Sequence, residues 1–265
     1  CGPLARSAKD LEIALDVMAG PMERRSKGWQ LNLAECNKTS LKDFKVAIWS
    51  NDELAPVAKE IAQRCEEVGN QLNSVGTTVS FAAKPEHDFM KAEINYQLLL
   101  QSVMQSGLPE DEYQKIEKLA SSLDKNDLSV DAILAKGTVL SHRNWIRQNY
   151  AREQIKISWS KFFEEWDVLI CPQLATTAIE HDHRKISERT VMVDNQEQRY
   201  FQQIFWPGLA VNAHLPSTVF PTGLSGDGMP IGLQVIGGAY EDKTTIKFAE
   251  LYEEEFKAFV VPNLD

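Results

Sequence analysis

The chain has 265 residues, 43% of them hydrophobic, with 28 Lys and Arg against 38 Asp and Glu and a formal net charge of −10. That length and apolar content suffice for one large domain or two small ones. The acidic balance, with no basic run interleaved with aromatics, argues against nucleic acid and anionic membrane surfaces as partners.

No apolar run approaches the ~18 residues that a membrane helix needs, and no signal peptide opens the chain. Cys1, Cys36, Cys65 and Cys171 are dispersed, without the paired spacing of a disulfide framework or a zinc site. A cytoplasmic protein is the expectation.

Ser7 reads as a helix N-cap, with Asp10 three residues on completing a capping-box-like start. Leu11, Ala14, Leu15 and Met18 then fall on one helical face, and Gly20-Pro21 ends the helix. Met22 to Ser40 is polar and irregular. Phe44, Val46 and Ile48 alternate with Lys45, Ala47 and Trp49 as in a strand. A helix from about Pro56 to Leu72 follows, with Ile61, Cys65, Val68 and Leu72 on one side, and Thr78 to Phe81 is extended again. Strand, helix, strand in so short a span is a βαβ unit with parallel pairing.

Residues 87–166 read as almost wholly helical. One helix is expected over about Phe89 to Gln105 and a second from Pro109 to Leu123. A third, from about Thr138 to Trp166, would be about 40 Å long at ~1.5 Å per residue. Asp167 to Cys171 is a short apolar strand suited to the middle of a sheet. Val191-Met192-Val193 and Gln198-Arg199-Tyr200, around Asp194-Asn195, suggest a small surface hairpin.

Two apolar segments, Leu215 to Pro221 and Pro230 to Gly237, flank the turn residues Ser225-Gly226-Asp227-Gly228 and predict a larger hairpin. Ile231, Leu233 and Val235 share the core face of its second strand, leaving Gly232 and Gln234 on a side open to close backbone approach. A helix follows Asp242, with Ile246, Ala249, Tyr252 and Phe256 near helical spacing.

The pattern Leu215-Pro216-x-Thr218-x-x-Pro221-x-Gly223-Leu224-x-x-Asp227-Gly228-x-Pro230-x-Gly232-x-Gln234-x-Ile236-Gly237 resembles the C-terminal segment of the amidase signature family. Gly2-Pro3-Leu4-Ala5-Arg6-Ser7 with Asp10-Leu11 and Asp16 to Gly20 is similar to the segment after that family's catalytic core. Trp166 to Pro172 resembles the strand and loop lining its substrate cleft. The three stretches occur in family order.

The resemblance implies an α/β fold, a mixed β-sheet flanked by helices, with residues 1–265 forming the C-terminal portion of a single domain. It implies hydrolysis of carboxamides to carboxylate and ammonia or amine, by an enzyme that needs no cofactor or metal. In the family a serine attacks, a second serine on a cis peptide relays the proton to a lysine, and a Gly/Ser-rich loop supplies the oxyanion hole. All of these lie upstream of the segment matched by Gly2 to Gly20, and the chain opens at Cys1 without an initiator Met. A fragment is therefore expected, with no catalytic residue of its own and inactive alone. Its implied partners are a small-molecule amide and the missing N-terminal half, with self-association into a homo-oligomer allowed. A non-catalytic interaction or structural protein, or one half of a split enzyme, is the alternative.

By the same resemblance, Cys171, Gln173, Phe205 and Trp206 are candidate substrate-binding residues, while Trp145 is expected to pack. Other chemistry-bearing residues have readings of their own. Ser121-Ser122 sits in a polar helix end, and Gly223-Leu224-Ser225-Gly226-Asp227 nearly matches a nucleophile elbow but lies in a hairpin pattern. Cys171 could act as a nucleophile with His181 or His214, or be a buried small apolar residue. His181-Asp182-His183 could bind a metal or be a polar loop.

Overall fold

A computed structural model describes residues 2–185 and 188–262; Cys1 lies outside them. In chain order the helices are α1 (Ala8–Met18), α2 (Lys59–Ser74), α3 (Phe89–Met104), α4 (Glu110–Ser122), α5 (Val130–Thr138), α6 (His142–Phe162), α7 (Phe205–Ala213) and α8 (Asp242–Phe256). The strands are β1 (Lys45–Ile48), β2 (Thr78–Ser80), β3 (Val168–Pro172), β4 (Thr190–Val193), β5 (Gln196–Arg199), β6 (Ser217–Leu224) and β7 (Pro230–Gly237). Two compact units result. The first holds the described residues of Cys1–Lys84, Ser160–Ala210 and His214–Asp265, and the second those of Pro85–Trp159 with Val211–Ala213.

The first unit is built on a mixed sheet of order β2-β1-β3-β7-β6. β1 pairs in parallel with β2 and β3, which is the expected βαβ crossover with one further parallel strand added. β7 runs antiparallel to both β3 and β6. Val46, Ala47, Ile48 and the whole of β3 are buried, as strands covered on both faces must be.

On one face, α2 presents Cys65, Val68 and Leu72 and α8 presents Ile246, Phe248, Ala249 and Tyr252 to Val46, Ile48, Ile170, Phe220, Leu233 and Val235. Phe248 packs edge-on to Phe44 at 5.4 Å, and Tyr252 to Phe220 at 4.9 Å, the offset geometry that aromatic pairs prefer. α1 begins as expected, the Ser7 hydroxyl accepting from the Asp10 amide at 3.2 Å. It covers this core with the buried Ala8 and the partly buried Leu11 and Leu15, while Ile13, Val17 and Met18 stay exposed.

The β6–β7 hairpin closes through Ser225, whose amide donates to the Met229 carbonyl at 2.7 Å while its hydroxyl accepts from the Met229 amide at 3.0 Å. A register shift between Pro221 and Leu224 carries Gly223 at φ +109°, a backbone shape that side chains rarely adopt. The Arg64 guanidinium of α2 clamps this bulge by donating to the Thr222 and Leu224 carbonyls. β6 pairs with β7 alone among the described strands, so its other edge is open.

The second unit is helical, over the stretch read as helical from sequence. Asp88 caps α3 by accepting from the Lys91 amide at 3.0 Å. The helix expected from Thr138 to Trp166 is α6, shorter at both ends, and α5, which was not expected as a separate helix, precedes it. α5 starts earlier, capped by Ser129, and stops at Thr138; the Ser141 hydroxyl then accepts from the Asn144 amide where α6 begins. α6 is 21 residues, about 31 Å rather than 40 Å. Two serine caps, each offering a local acceptor to orphan amides, start the two helices. α3 and α5 meet at Gly137, where an added Cβ would lie 2.8 Å from Gln101 Cβ and 3.2 Å from the Leu98 backbone. His87 Nδ1 lies 3.0 Å from the Ser158 hydroxyl, which in turn donates to the Glu86 carbonyl at 3.0 Å.

Candidate functional site

In open α/β sheets, ligands favour the crevice outside the carboxyl ends of parallel strands. Here that region is the ends of β1 and β3. Trp49 continues β1, its amide bonded to the Ile170 carbonyl at 2.9 Å. Its ring meets Trp206 edge-on at 5.4 Å and Phe205 at 6.1 Å, and those two pack on each other at 5.3 Å. Lys84 Nζ sits 4.3 Å over the Trp49 ring and 3.6 Å from an Asp52 carboxylate oxygen. A cation over an aromatic face is attracted by the ring quadrupole.

The loop between β1 and α2 is stitched to this cluster by side chains. Trp206 Nε1 donates to the Ala55 carbonyl at 3.1 Å, Gln202 to Leu54 at 3.1 Å and Gln198 to Pro56 at 3.0 Å. The Asp194 carboxylate accepts from the Lys59 amide, placing negative charge at the amino end of α2 where the helix dipole favours it. Asp194 turns the β4–β5 hairpin at φ +53°. With Val191, Val193 and Gln198 buried, that hairpin is seated against the protein rather than lying free on its surface.

Gln234 is the polar centre of the opposite sheet face. Its Nε2 donates to the Pro172 carbonyl at 2.9 Å and the Trp206 carbonyl at 2.8 Å, and its Oε1 accepts from the Ser217 hydroxyl at 3.0 Å. The close backbone approach expected on the Gln234 side is present: the residue is 1% exposed, with the backbone of α7 and of the end of β3 drawn onto it. A buried amide with all its partners met can sit in an otherwise apolar strand at little cost.

Three of the four candidate residues therefore converge. Cys171, Phe205 and Trp206 are buried together around Gln234 and Trp49. Gln173 stands one residue beyond β3, partly exposed, with its Oε1 buried and without a hydrogen-bond partner. Burial drives the Cys171 thiol pKa far up, with the neighbouring Gln234 amide opposing only in part. A thiol so held stays protonated and is a poor nucleophile. Trp145 lies partly buried on α6.

The serines are occupied structurally: Ser121 donates to the Glu117 carbonyl at 2.8 Å, Ser122 to Leu119 at 2.7 Å, and Ser225 closes its hairpin. Asp182, between the two histidines, pairs with Arg184 at 2.8 Å. No group of three or more metal-ligating side chains gathers among the described residues.

A separate groove of about 580 Å³ opens beside β6, lined by Gly2 to Ala5, Leu15, Pro216 to Val219 and Thr245. Its lining is mainly apolar, and its hydroxyls Thr218 and Thr245 are paired to each other at 2.8 Å. It offers a surface rather than chemistry. Sequence reading missed Trp49, Lys84 and Gln234; the signal available was a lone amide in the apolar run from Ile231 to Ile236.

The family model described as Amidase matches residues 1–246. A glutamyl-tRNA(Gln) amidotransferase subunit from Exiguobacterium sp. is 24% identical over 283 residues, covering 99% of this chain and 56% of that protein. Its counterpart from Oceanobacillus iheyensis is 26% identical, covering 96% and 54%. Among solved structures, a bacterial aryl acylamidase of the amidase signature family aligns with TM-score 0.66 at 17% identity, covering 96% of this chain and 52% of that one. The glutamyl-tRNA(Gln) amidotransferase subunit of Thermotoga maritima gives 0.67 at 17%, with the same coverage. The fold is thus shared throughout the chain, and the chain spans about half the length of the curated relatives it matches.

Proposed function

The chain belongs to the amidase signature family, and on that premise we propose that it is the C-terminal portion of a single-domain amidase whose catalytic groups lie in a half it lacks. The observation that carries this reading is the open edge of β6 beside an apolar groove, in a chain of about half its relatives' length. A sheet that stops at an uncharged strand, with Val219 49% exposed on it, is a sheet that further strands can extend. The residues 1–265 and their helical segment at 87–166 are then one part of a larger α/β domain working in the cytoplasm.

In this reading the absent half provides the attacking serine, the second serine, the lysine and the oxyanion loop. Hydroxyls need such a base to become nucleophiles, and aimed donors to stabilise the oxyanion. The present chain shapes the cleft that holds a small-molecule amide. Phe205 and Trp206 form its apolar floor, Cys171 backs that floor as a small neutral side chain, and Gln173 offers a carboxamide oxygen to the amide N–H. Because relatives are named as one subunit of an amidotransferase, a partner polypeptide is in keeping with the reading.

The alternative is an interaction or structural protein that kept the fold and lost the chemistry, or one half of a split enzyme. The deciding experiment measures hydrolysis of simple carboxamides by the 265-residue chain alone and after co-expression with the family's N-terminal half. No turnover alone and turnover together supports the proposal. Turnover by the chain alone, or none in either case, would overturn it.

A further inference from the structure

We infer that Gln234 is a positioning residue for the cleft, the side chain that sets where the floor of the amide pocket sits. The inference rests on the amidase reading and deepens it. Gln234 lies in β7 yet bonds to three other elements. Its Nε2 hydrogens hold the last carbonyl of β3, at Pro172, and a first-turn carbonyl of α7, at Trp206. Its Oε1 takes the Ser217 hydroxyl of β6.

Pro172 immediately precedes Gln173, and Trp206 is itself a floor residue, so both segments proposed to meet the substrate are tied to one amide group. The two carbonyls lie 62 and 28 residues from Gln234 in sequence, so no local turn geometry could set their separation. A carboxamide is suited to the task because it carries two donors and an acceptor in one plane. Carboxylate, thioether or aliphatic replacements of similar size cannot present two donors.

The test uses Gln234→Met, which keeps the volume, and Gln234→Glu, which keeps acceptor oxygens and loses the paired donors. Hydrogen exchange is followed by mass spectrometry in the 265-residue chain, comparing peptides over 172–178 and 203–210 with peptides over β2 and α8. Acceleration of about tenfold or more confined to the first two segments is expected, since local opening reports local restraint. Uniform acceleration, or none, would overturn the positioning role.

In the assembled enzyme, the ratio of kcat/KM for a bulky and a small amide should shift by roughly tenfold, a pocket-contact effect, with the pH profile unchanged. An equal loss on all amides would reduce Gln234 to a core residue. If the unaltered assembled enzyme cleaves no amide, the proposed function falls, and the exchange comparison still decides whether Gln234 holds the two segments.

Discussion

The indole N–H of Trp206 donates to the Ala55 carbonyl at 3.1 Å, joining residues 151 positions apart inside the buried cluster at the carboxyl ends of β1 and β3. Trp206→Phe keeps most of the ring packing and strands a buried acceptor, which should cost about 1–3 kcal/mol. Trp206→Ala adds a large cavity and should cost about 3–5 kcal/mol. Urea unfolding of both variants checks the order. In the assembled enzyme, Trp206→Ala should also change discrimination between bulky and small amides by ~1–3 kcal/mol. Unaltered discrimination in a folded variant would remove Trp206 from the pocket.

His87 should make the second unit sensitive to acid. Burial lowers its pKa from the ordinary 6.5 to about 4, with Asp88 opposing. The unfolded chain therefore binds the proton first. Stability from this group is complete above pH ~6.5, falls as the pH drops through the window down to about 4, and levels off below it. Thermal unfolding at pH 7.5, 5.5 and 4.5 should show a larger acid loss for the wild type than for His87→Gln. Parallel curves would show that His87 does not contribute.

Gly137→Ala sets two effects against each other. Alanine is favoured in a helix interior by about 1 kcal/mol. The new methyl would meet Gln101 Cβ at 2.8 Å and the Leu98 backbone at 3.2 Å, where nothing flexible can yield. Overpacking of this kind costs about 1–3 kcal/mol, so net destabilisation is expected in a guanidinium melt. A more stable variant would mean that α3 and α5 can separate without penalty.

The chain expressed alone should self-associate through its open β6 edge. Val219, 49% exposed on that strand, is the position where a lysine would blunt it. Sedimentation at several concentrations should show Val219→Lys shifting the distribution toward monomer. A wild type that stays monomeric at all concentrations, with a reversible transition above ~65 °C, would show that the edge needs no cover.

Legibility followed the range of the interactions. The βαβ unit, the β6–β7 hairpin and α8 could be read because alternation and helical spacing are local. α5 and the start of α6 were missed because they depend on Ser129 and Ser141 acting as caps, a role a serine takes only when the following amides are left over. The meeting of Trp49 with Phe205 and Trp206 could not be read from periodicity, since strand pairing more than a hundred residues away brings them together. The partners of Gln234 were out of reach for a related reason. An amide on the minor face of a strand carries no local sign of which distant carbonyls will claim it.

The strand order has a consequence for synthesis. β3 finds β1 already made, but its other neighbour, β7, ends roughly 65 residues after β3 does, an interval of several seconds at a ribosome's ~5–20 residues per second. Throughout that interval one side of the most apolar strand in the chain is bare. A nascent chain stalled between Pro172 and Gly237 would thus be the species that chaperones engage most strongly, and slowing translation there would lengthen its exposure.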